Sequence, residues 1–577
     1  MTDYANNSGL LSGTIPSSFA KLTALYFLDL QSNNFTGTLD LNPYFMSNIS
    51  DISASYNPLL SVSADDRVAR HGNISSLELA SCNLTRIPSA IRYLPDLVIL
   101  DLSHNGIHGH IPDWIWKNMS SLDLSHNLFT TVGKLPANTT IMSLDLSFNN
   151  LSGAVPFPMR AQNIDYSNNK FSSIQNSNFL HQILNTYSIK LANNDLSGPL
   201  PYMECYSNYG YGVQILDISS NNFSGLVPPY LLKVMPAEAY RVIDLHGNQI
   251  KGRLPRSLAN YKELQDLDIG GNNFEDSFPT WLGNLSELRL LVLRSNQFYG
   301  RVRISLNKNN LTAGYFSSLK IIDLAGNRFT GVLPFELFNN FKSMVRSPLD
   351  DEAGGSSYKV AVEVPEDWGS SYQVAIEVAM KQQYMRVPKI FTDLVVIDLS
   401  NNRFRGYIPR TIGNLTSLNV LNLSHNAFIG EIPAELGCLS QVESIDLSWN
   451  HLTGEIPQTL ASLTSLEWLN LSYNDLSGSI PSGTQFSTFP SSSFQGNPGL
   501  YGCPLPVRCN LTRPSSTSKA PPPGQVPDGA YADHRFEVIV ICIFVGSGFG
   551  VGFALAIVMQ VVCIRRRGAR KCFFRPH

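Results

Sequence analysis

The sequence predicts an α/β solenoid, a stack of short coils that each add one parallel strand, followed by one membrane-spanning helix near the C-terminus. Three observations carry the prediction. The pattern Leu-x-Leu-x-x-Asn-x-Leu-x-Gly-x-Ile-Pro recurs, most regularly as LNLSHNAFIGEIP (421–433), IDLSWNHLTGEIP (445–457) and LNLSYNDLSGSIP (469–481). Its asparagines, Asn426, Asn450 and Asn474, stand 24 residues apart. A unit that short buries its apolar face only against its neighbours, so it must stack. Finally, residues 538–564 run for 27 positions without a charge, where ~20 apolar residues suffice for a helix to cross a bilayer.

The asparagine slot recurs at Asn33, Asn57, Cys82, Asn105, Asn127, Asn149, Asn169, Asn194, Asn221, Asn248, Asn272, Asn296, Asn327, Asn402, Asn426, Asn450 and Asn474. Steps are 20 to 31 residues, except for one of 75 between Asn327 and Asn402. Seventeen coils are readable, plus a degenerate first one ending in GTIP (13–16). Cys82 fits because this slot of the leucine-rich repeat accepts Asn or Cys. Each position has a physical role. Leucines such as Leu421 and Leu423 alternate along a strand and point into the core. The Asn amide both donates and accepts, so it satisfies backbone groups where the strand turns away. Gly430, Gly454 and Gly478 permit a turn closed to residues with a Cβ. Pro433, Pro457 and Pro481 suit the start of a short helical turn. Such a fold offers a long concave face and no deep pocket, which favours binding over catalysis. No catalytic residue, metal site or cofactor is predicted.

Net charge is −3 with 15 % charged residues, which gives no nucleic-acid signal, and eight cysteines are too few for a disulfide-built scaffold. Asn-x-Ser/Thr sequons occur at Asn6, Asn34, Asn48, Asn73, Asn83, Asn118, Asn138, Asn150, Asn222, Asn284, Asn310, Asn414, Asn422, Asn470 and Asn510. All precede residue 511, as expected of a glycosylated, secreted ectodomain. Asn422 and Asn470 lie inside strands on the concave face, where an Asn-rich repeat makes sequons by itself.

After the apolar run come Arg565, Arg566, Arg567, Arg570, Lys571 and Arg575, whereas Asp528, Asp533 and Glu537 precede it. Positive flanks stay cytoplasmic, so the expectation is a single-pass type I plasma-membrane protein with its repeats outside. Gly546, Gly548, Gly550 and Gly552 form two overlapping Gly-x-x-x-Gly pairs, a helix-pairing face. The thirteen residues beyond 564 hold no enzyme, so a signal leaves through a partner.

Residues 345–389 fall outside the repeat. They contain two alternating segments, YKVAVEV and YQVAIEV, which predict β-strands in an island with a hairpin. The Gly-x-Ile-Pro extension resembles the plant-type leucine-rich repeat, which carries a second strand on the flank and twists into a superhelix; the resemblance covers about residues 10–485. An island, four further coils, a cysteine cap, a membrane helix and a basic tail together resemble plant receptor-like proteins of the Cf-type disease-resistance group. The island exit SYQVAIEVAMKQQY…KIFTDLVVIDLSNNRFRGYIP is similar to the family's passage, with Lys381-Gln382 in place of the usual Lys-Gly. GTQFSTFPSSSFQGNPGLYGCPLPVRC (483–509) matches the family cap, with Tyr501 where a Cys is usual.

The resemblance implies repeats over 1–344, an island over 345–389, four last coils over 390–485, and a cap over 486–511 closed by Cys503 and Cys509. A linker (512–537), the membrane helix (538–564) and a cytoplasmic tail (565–577) follow. The opening MTDYANNSGLLSGTIP has no signal peptide or cysteine-bearing cap, so the chain reads as N-terminally truncated. Functionally, the resemblance implies a kinase-less receptor that binds an extracellular peptide, protein or glycan and works through adaptor and co-receptor receptor-like kinases in plant defence. The alternatives are a developmental peptide-hormone receptor subunit and a wall-type inhibitor of pathogen enzymes.

On the concave face the residue between the strand leucines is usually Asp: Asp101, Asp123, Asp145, Asp217, Asp244, Asp268, Asp323, Asp398 and Asp446. A ladder without a focus reads as framework. Lys190 and Val292 replace that Asp, while His246 and Arg294 lie two residues further along their strands. Lys190, His246 and Arg294 are the candidate basic strip for an anionic or carboxylate-ended ligand. His425, Trp449, Trp468 and Tyr473 project from the last coils and are the candidate co-receptor contact.

Overall fold

The computed structural model describes residues 2–506, apart from 4–10, 70–71, 137, 175–185, 201–212, 229–239, 304–314, 346–375, 381–382, 388–393 and 484. The expected membrane helix with Gly546, Gly548, Gly550 and Gly552, and the basic tail, therefore lie outside the described residues. So do Asn6, Asn310, Asn510 and Cys509. Among the described residues no helix is long and apolar enough to cross a membrane.

One parallel sheet of 18 strands runs from Thr2–Asp3 to Trp468–Asn470. The seventeen coils read from the asparagine slot and the degenerate first coil supply one strand each. Most strands are three residues long, because in each coil only Leu-x-Leu is extended before the Asn turns the chain. Register is locked by the central leucine: Ile397, Leu421, Ile445 and Leu469 stand opposite one another in successive strands and are all buried. On the flank, short second strands pair in the same order, including Arg403–Gly406, Ala427–Gly430, His451–Gly454 and Asp475–Ser479. That second sheet is the plant-type feature expected from Gly-x-Ile-Pro. Gly430, Gly454 and Gly478 adopt φ of +78°, +77° and +88°, a region costly for residues with a Cβ. Pro433 and Pro457 precede the 3₁₀ turns Ala434–Cys438 and Gln458–Ser462, where a missing N–H costs nothing. A column of phenylalanines, Phe298, Phe329, Phe404 and Phe428, stacks through the core at 6.1–6.4 Å between rings.

The asparagines tie coil to coil. Asn450 Nδ2 donates to the carbonyls of Leu423 (3.1 Å), Leu447 (3.1 Å) and Ser448 (3.2 Å). Its Oδ1 accepts the Phe428 N–H at 3.0 Å. Cys82 copies part of this: Sγ reaches the Ala54 and Ala80 carbonyls at 3.2 and 3.5 Å.

The 75-residue step leaves the solenoid unbroken. Strand Ile321–Asp323 pairs directly with Val396–Asp398, and Asn402 Nδ2 reaches back to the Leu324 carbonyl at 2.8 Å. Within the island, Ile376–Met380 and Gln383–Val387 form an antiparallel hairpin. The hairpin is formed by the end of YQVAIEV and the residues just after it. YKVAVEV lies outside the described residues. Cys503 is disulfide-bonded, and the compact unit carrying the coils ends at Leu511.

Asn450→Ala strands the buried Phe428 N–H and three carbonyl lone pairs; at ~1–3 kcal/mol for an unsatisfied buried group, unfolding free energy should fall by about 3 kcal/mol. Asn450→Cys, which keeps a weak donor as Cys82 does, should cost less. Urea denaturation followed by circular dichroism checks the order, and equal losses would refute the bridging role.

Candidate functional site: the open face of the sheet

The outward residues of successive strands form rows. In the aspartate row each carboxylate closes its own strand end. Asp101, Asp398 and Asp446 accept the N–H two residues on, from Ser103, Ser400 and Ser448, at 2.8–2.9 Å. Burial pushes these carboxyls up, and at Asp398 the neighbouring Asp446 pushes further. Asp123 rises to about 6 through burial and then Asp101, and Asp268 to about 7 through burial and then Asp244. The ladder is thus framework in geometry.

Asn422 and Asn470 take the same place in their coils and make the same turn, accepting from Ser424 and Ser472 N–H at 3.1 and 3.2 Å. Their Nδ2 atoms point to Asp398 and Asp446, and Asn470 is buried. The amide nitrogens of these two sequons thus face the row. Asn34, Asn48, Asn73, Asn83, Asn118, Asn138, Asn150, Asn222, Asn284 and Asn414 are exposed.

The predicted basic strip is answered by acids. Lys190 Nζ lies 3.3 Å from Asp165 Oδ2. His246 Nδ1 lies 2.8 Å from Asp244 Oδ1, and Ser220 Oγ is 3.2 Å from its Nε2. Arg294 lies across Gly270, where a Cβ would meet its Cγ at 3.0 Å and Asp268 Oδ1 at 3.2 Å. Asp244, His246 and Asp268 offer ligand atoms within 4.8 Å of one another, an arrangement that could hold a metal ion. In this structure the imidazole is hydrogen-bonded to Asp244, and the Arg294 charge acts on Asp268. The ladder's own aspartates, whose burial makes an unanswered charge costly, thus engage Lys190 and His246 of the expected strip.

The aromatic group does assemble. His425, Trp449 and Tyr473 each sit one residue before a ladder Asn, with φ of 53–54°. That left-handed geometry turns the side chains outward along a column. Their rings stack, His425 on Trp449 at 5.6 Å and Trp449 on Tyr473 at 4.1 Å. Trp468 lines the same groove, of about 680 Å³, with Asn422 and Gln495. Sequence reading missed a second column at the other end of the solenoid. His104 stacks on His126 at 4.0 Å, His126 on Phe148 at 4.1 Å, and Tyr56 tilts toward His104 at 6.3 Å. Its signal was present: an aromatic or His residue directly before the slot Asn in three successive coils, His104, His126 and Phe148, and again two coils earlier at Tyr56.

A solenoid with a stacked strand per coil, a flank strand and an asparagine ladder is a plant-type leucine-rich-repeat protein. A family model described as Leucine Rich Repeat matches residues 96–118, 212–234, 263–285, 318–340, 393–415, 417–439, 441–463 and 465–495, and a related model matches 137–154. Receptor-like protein 32 of Arabidopsis thaliana is 34 % identical over 549 residues, 94 % of this chain and 58 % of its own length. Receptor-like protein 6 of the same plant is 37 % identical over 566 residues, 92 % of this chain and 52 % of its own length. Among solved structures, the Arabidopsis receptor kinase HAESA in complex with the peptide hormone IDA and the co-receptor SERK1 superposes with a TM-score of 0.60 at 29 % identity, covering 86 % of this chain and 78 % of that one. The chain belongs to the plant leucine-rich-repeat receptor-like proteins. It spans between 52 % and 58 % of the length of these two curated relatives.

Burial opposes a charge on His246, but the hydrogen bond and charge of Asp244, then the charges of Asp268 and Asp217, outweigh it and raise its pKa to about 9. A raised base stabilises the fold fully below its ordinary pKa of 6.5 and loses that contribution as pH rises through about 9. His246→Ser, the usual residue of that row, should therefore cost on the order of 2 kcal/mol at pH 6, with the difference disappearing toward pH 10. Thermal unfolding across that range checks it; a pH-independent difference would contradict the ion pair.

Proposed function

We propose that the chain is a kinase-less, non-enzymatic cell-surface receptor. Its repeats bind an extracellular peptide, protein or glycan, and the signal passes to partner receptor-like kinases in plant defence. The His425–Trp449–Tyr473 column with Trp468 carries this reading. Aromatic surface that is grouped and left open to solvent suits a protein partner, because such anchors supply much of the energy of an interface. The position of the groove in the last coils, beside the cap, supports a co-receptor kinase as that partner, as does the presence of a co-receptor in the HAESA complex.

The outward placement of the repeats, the single membrane pass and a pairing face of Gly546, Gly548, Gly550 and Gly552 for an adaptor kinase belong to the same proposal. They rest on the uncharged run at 538–564 and the arginines after it. Contacts in the ectodomain and the membrane would reinforce each other through high effective concentration. HAESA binds a peptide hormone, which also supports a developmental peptide as the ligand class.

The test is titration of the full chain in detergent with the SERK1 ectodomain. Trp449→Ala with Trp468→Ala should weaken binding about tenfold or more, at ~1–2 kcal/mol per interface aromatic. Unchanged affinity would remove the groove from the proposal.

A further inference from the structure

The first coils carry a face that differs in charge from the middle of the solenoid. The outward positions of five successive strands are Ser76 and Glu78, Ile99 and Asp101, Ser121 and Asp123, Ser143 and Asp145, and Asn163 and Asp165. The next outward residues, Ala80, Ser103, Ser125, Ser147 and Ser167, add no charge. No Lys or Arg stands among these positions until Lys190, whose ammonium is paired with Asp165. Among the described residues, Glu78, Asp101, Asp123 and Asp145 form no ion pair with Lys or Arg. All four are only partly buried, so solvent and a ligand reach them. Farther along, Lys190, His246 and Arg294 answer the same aspartate row, so the difference is local to the early coils.

Along one side of this acidic row runs the Tyr56, His104, His126 and Phe148 column. Tyr56 and Phe148 are 48 % and 47 % exposed, large values for rings in a packed solenoid. The inner rings cover one another's faces, so the column offers edges and the two end rings. It is a border of flat ring edges beside carboxylates, ended by Tyr56 and Phe148, suited to the aliphatic stem of a long cationic side chain with its charge laid over the acids.

We propose that this N-terminal sheet face docks a basic peptide segment, with lysine or arginine heads over Glu78, Asp101, Asp123 and Asp145 and stems along the Tyr56–His104–His126–Phe148 column. Charge complementarity selects the occupant. Neighbouring acids in the row repel one another, and a cationic side chain laid over them offsets that repulsion while they stay charged. Burial first, then Asp101, already raises the Asp123 carboxyl to about 6. At ~4.8 Å per strand the four acids span ~14 Å, the reach of about five residues of an extended peptide at ~3.4 Å each. The docking refines the ligand-binding half of the receptor reading and rests on it for an extracellular ligand.

The experiment uses the full chain in detergent and fluorescein-labelled hexalysine, with hexaglutamate as the opposite-charge probe, read by anisotropy. The site variant is Asp101→Asn with Asp123→Asn and Asp145→Asn. Asparagine keeps the acceptor for the serine N–H, as Asn422 and Asn470 do in the same row. The matched control removes three exposed acids elsewhere: Glu431→Gln, Glu455→Gln and Asp475→Asn. Hexalysine should bind and hexaglutamate should not. The site variant should weaken hexalysine about tenfold, and the control less than about twofold, since three partly screened ion pairs are removed only in the first.

His104→Ser with His126→Ser, a residue the same row already holds at Ser81 and Ser220, should weaken it a few fold by removing the border. Equal weakening by site and control variants would mean general charge attraction and overturn the proposal, as would no weakening by either. If the triple variant loses its fold by circular dichroism, Asp123→Asn alone is read the same way. The site variant should leave SERK1 binding unchanged, so failure here is separable from failure of the co-receptor groove.

Discussion

The asparagine ladder is the interaction on which the rest of the molecule depends. A coil with a three-residue strand leaves most of its backbone polar groups without a ladder partner, and burying them unpaired would cost more than the leucines return. One side-chain amide answers four of them at once, three carbonyls and one N–H, drawn from two coils. Because the Asn reaches backward as well as within its own turn, each coil holds the next in register. The same bond spans the 75-residue step, where Asn402 binds Leu324 as though nothing intervened. The island can therefore be long without weakening the stack.

The ladder also places the functional surface. Turning the chain at each Asn puts the preceding residue in the left-handed region, and there the repeat is free to vary. Serine, asparagine and glycine fill most coils at that position, and these residues tolerate it well. The exceptions cluster: Tyr56, His104, His126 and Phe148 toward one end, His425, Trp449 and Tyr473 toward the other. A backbone requirement has become a pair of exposed aromatic columns.

Charge follows a similar logic. The aspartates are needed to close strand ends, yet stacking them coil on coil makes them repel in a place that is partly dry. The middle of the solenoid answers with Lys190, His246 and Arg294, and the last coils answer by exchanging Asp for Asn at 422 and 470. Among the described residues, the early coils answer the row with no Lys or Arg, and only His104 acts on Asp101 and Asp123. The same structural residue thus has three local environments.

The sequence by itself determined the scaffold: the number of coils, the strand in each, the flank strand and the continuity of the Asn slot. Periodic burial leaves a periodic trace, so Leu421, Asn426 and Gly430 could be read without a structure. Their period also made the aromatic group at His425, Trp449, Trp468 and Tyr473 legible. What the sequence did not carry was the partner of each outward side chain. Lys190 read as part of an open basic strip because its acid, Asp165, lies a whole coil away in the chain, whereas the acid of His246, Asp244, stands two residues before it and was legible. Only the tertiary stack brings the Asp165 carboxylate to 3.3 Å. The same stack turned His104 and His126, 22 residues apart, into touching rings. Contacts across coils are a matter of register, and register exists only once the solenoid has formed.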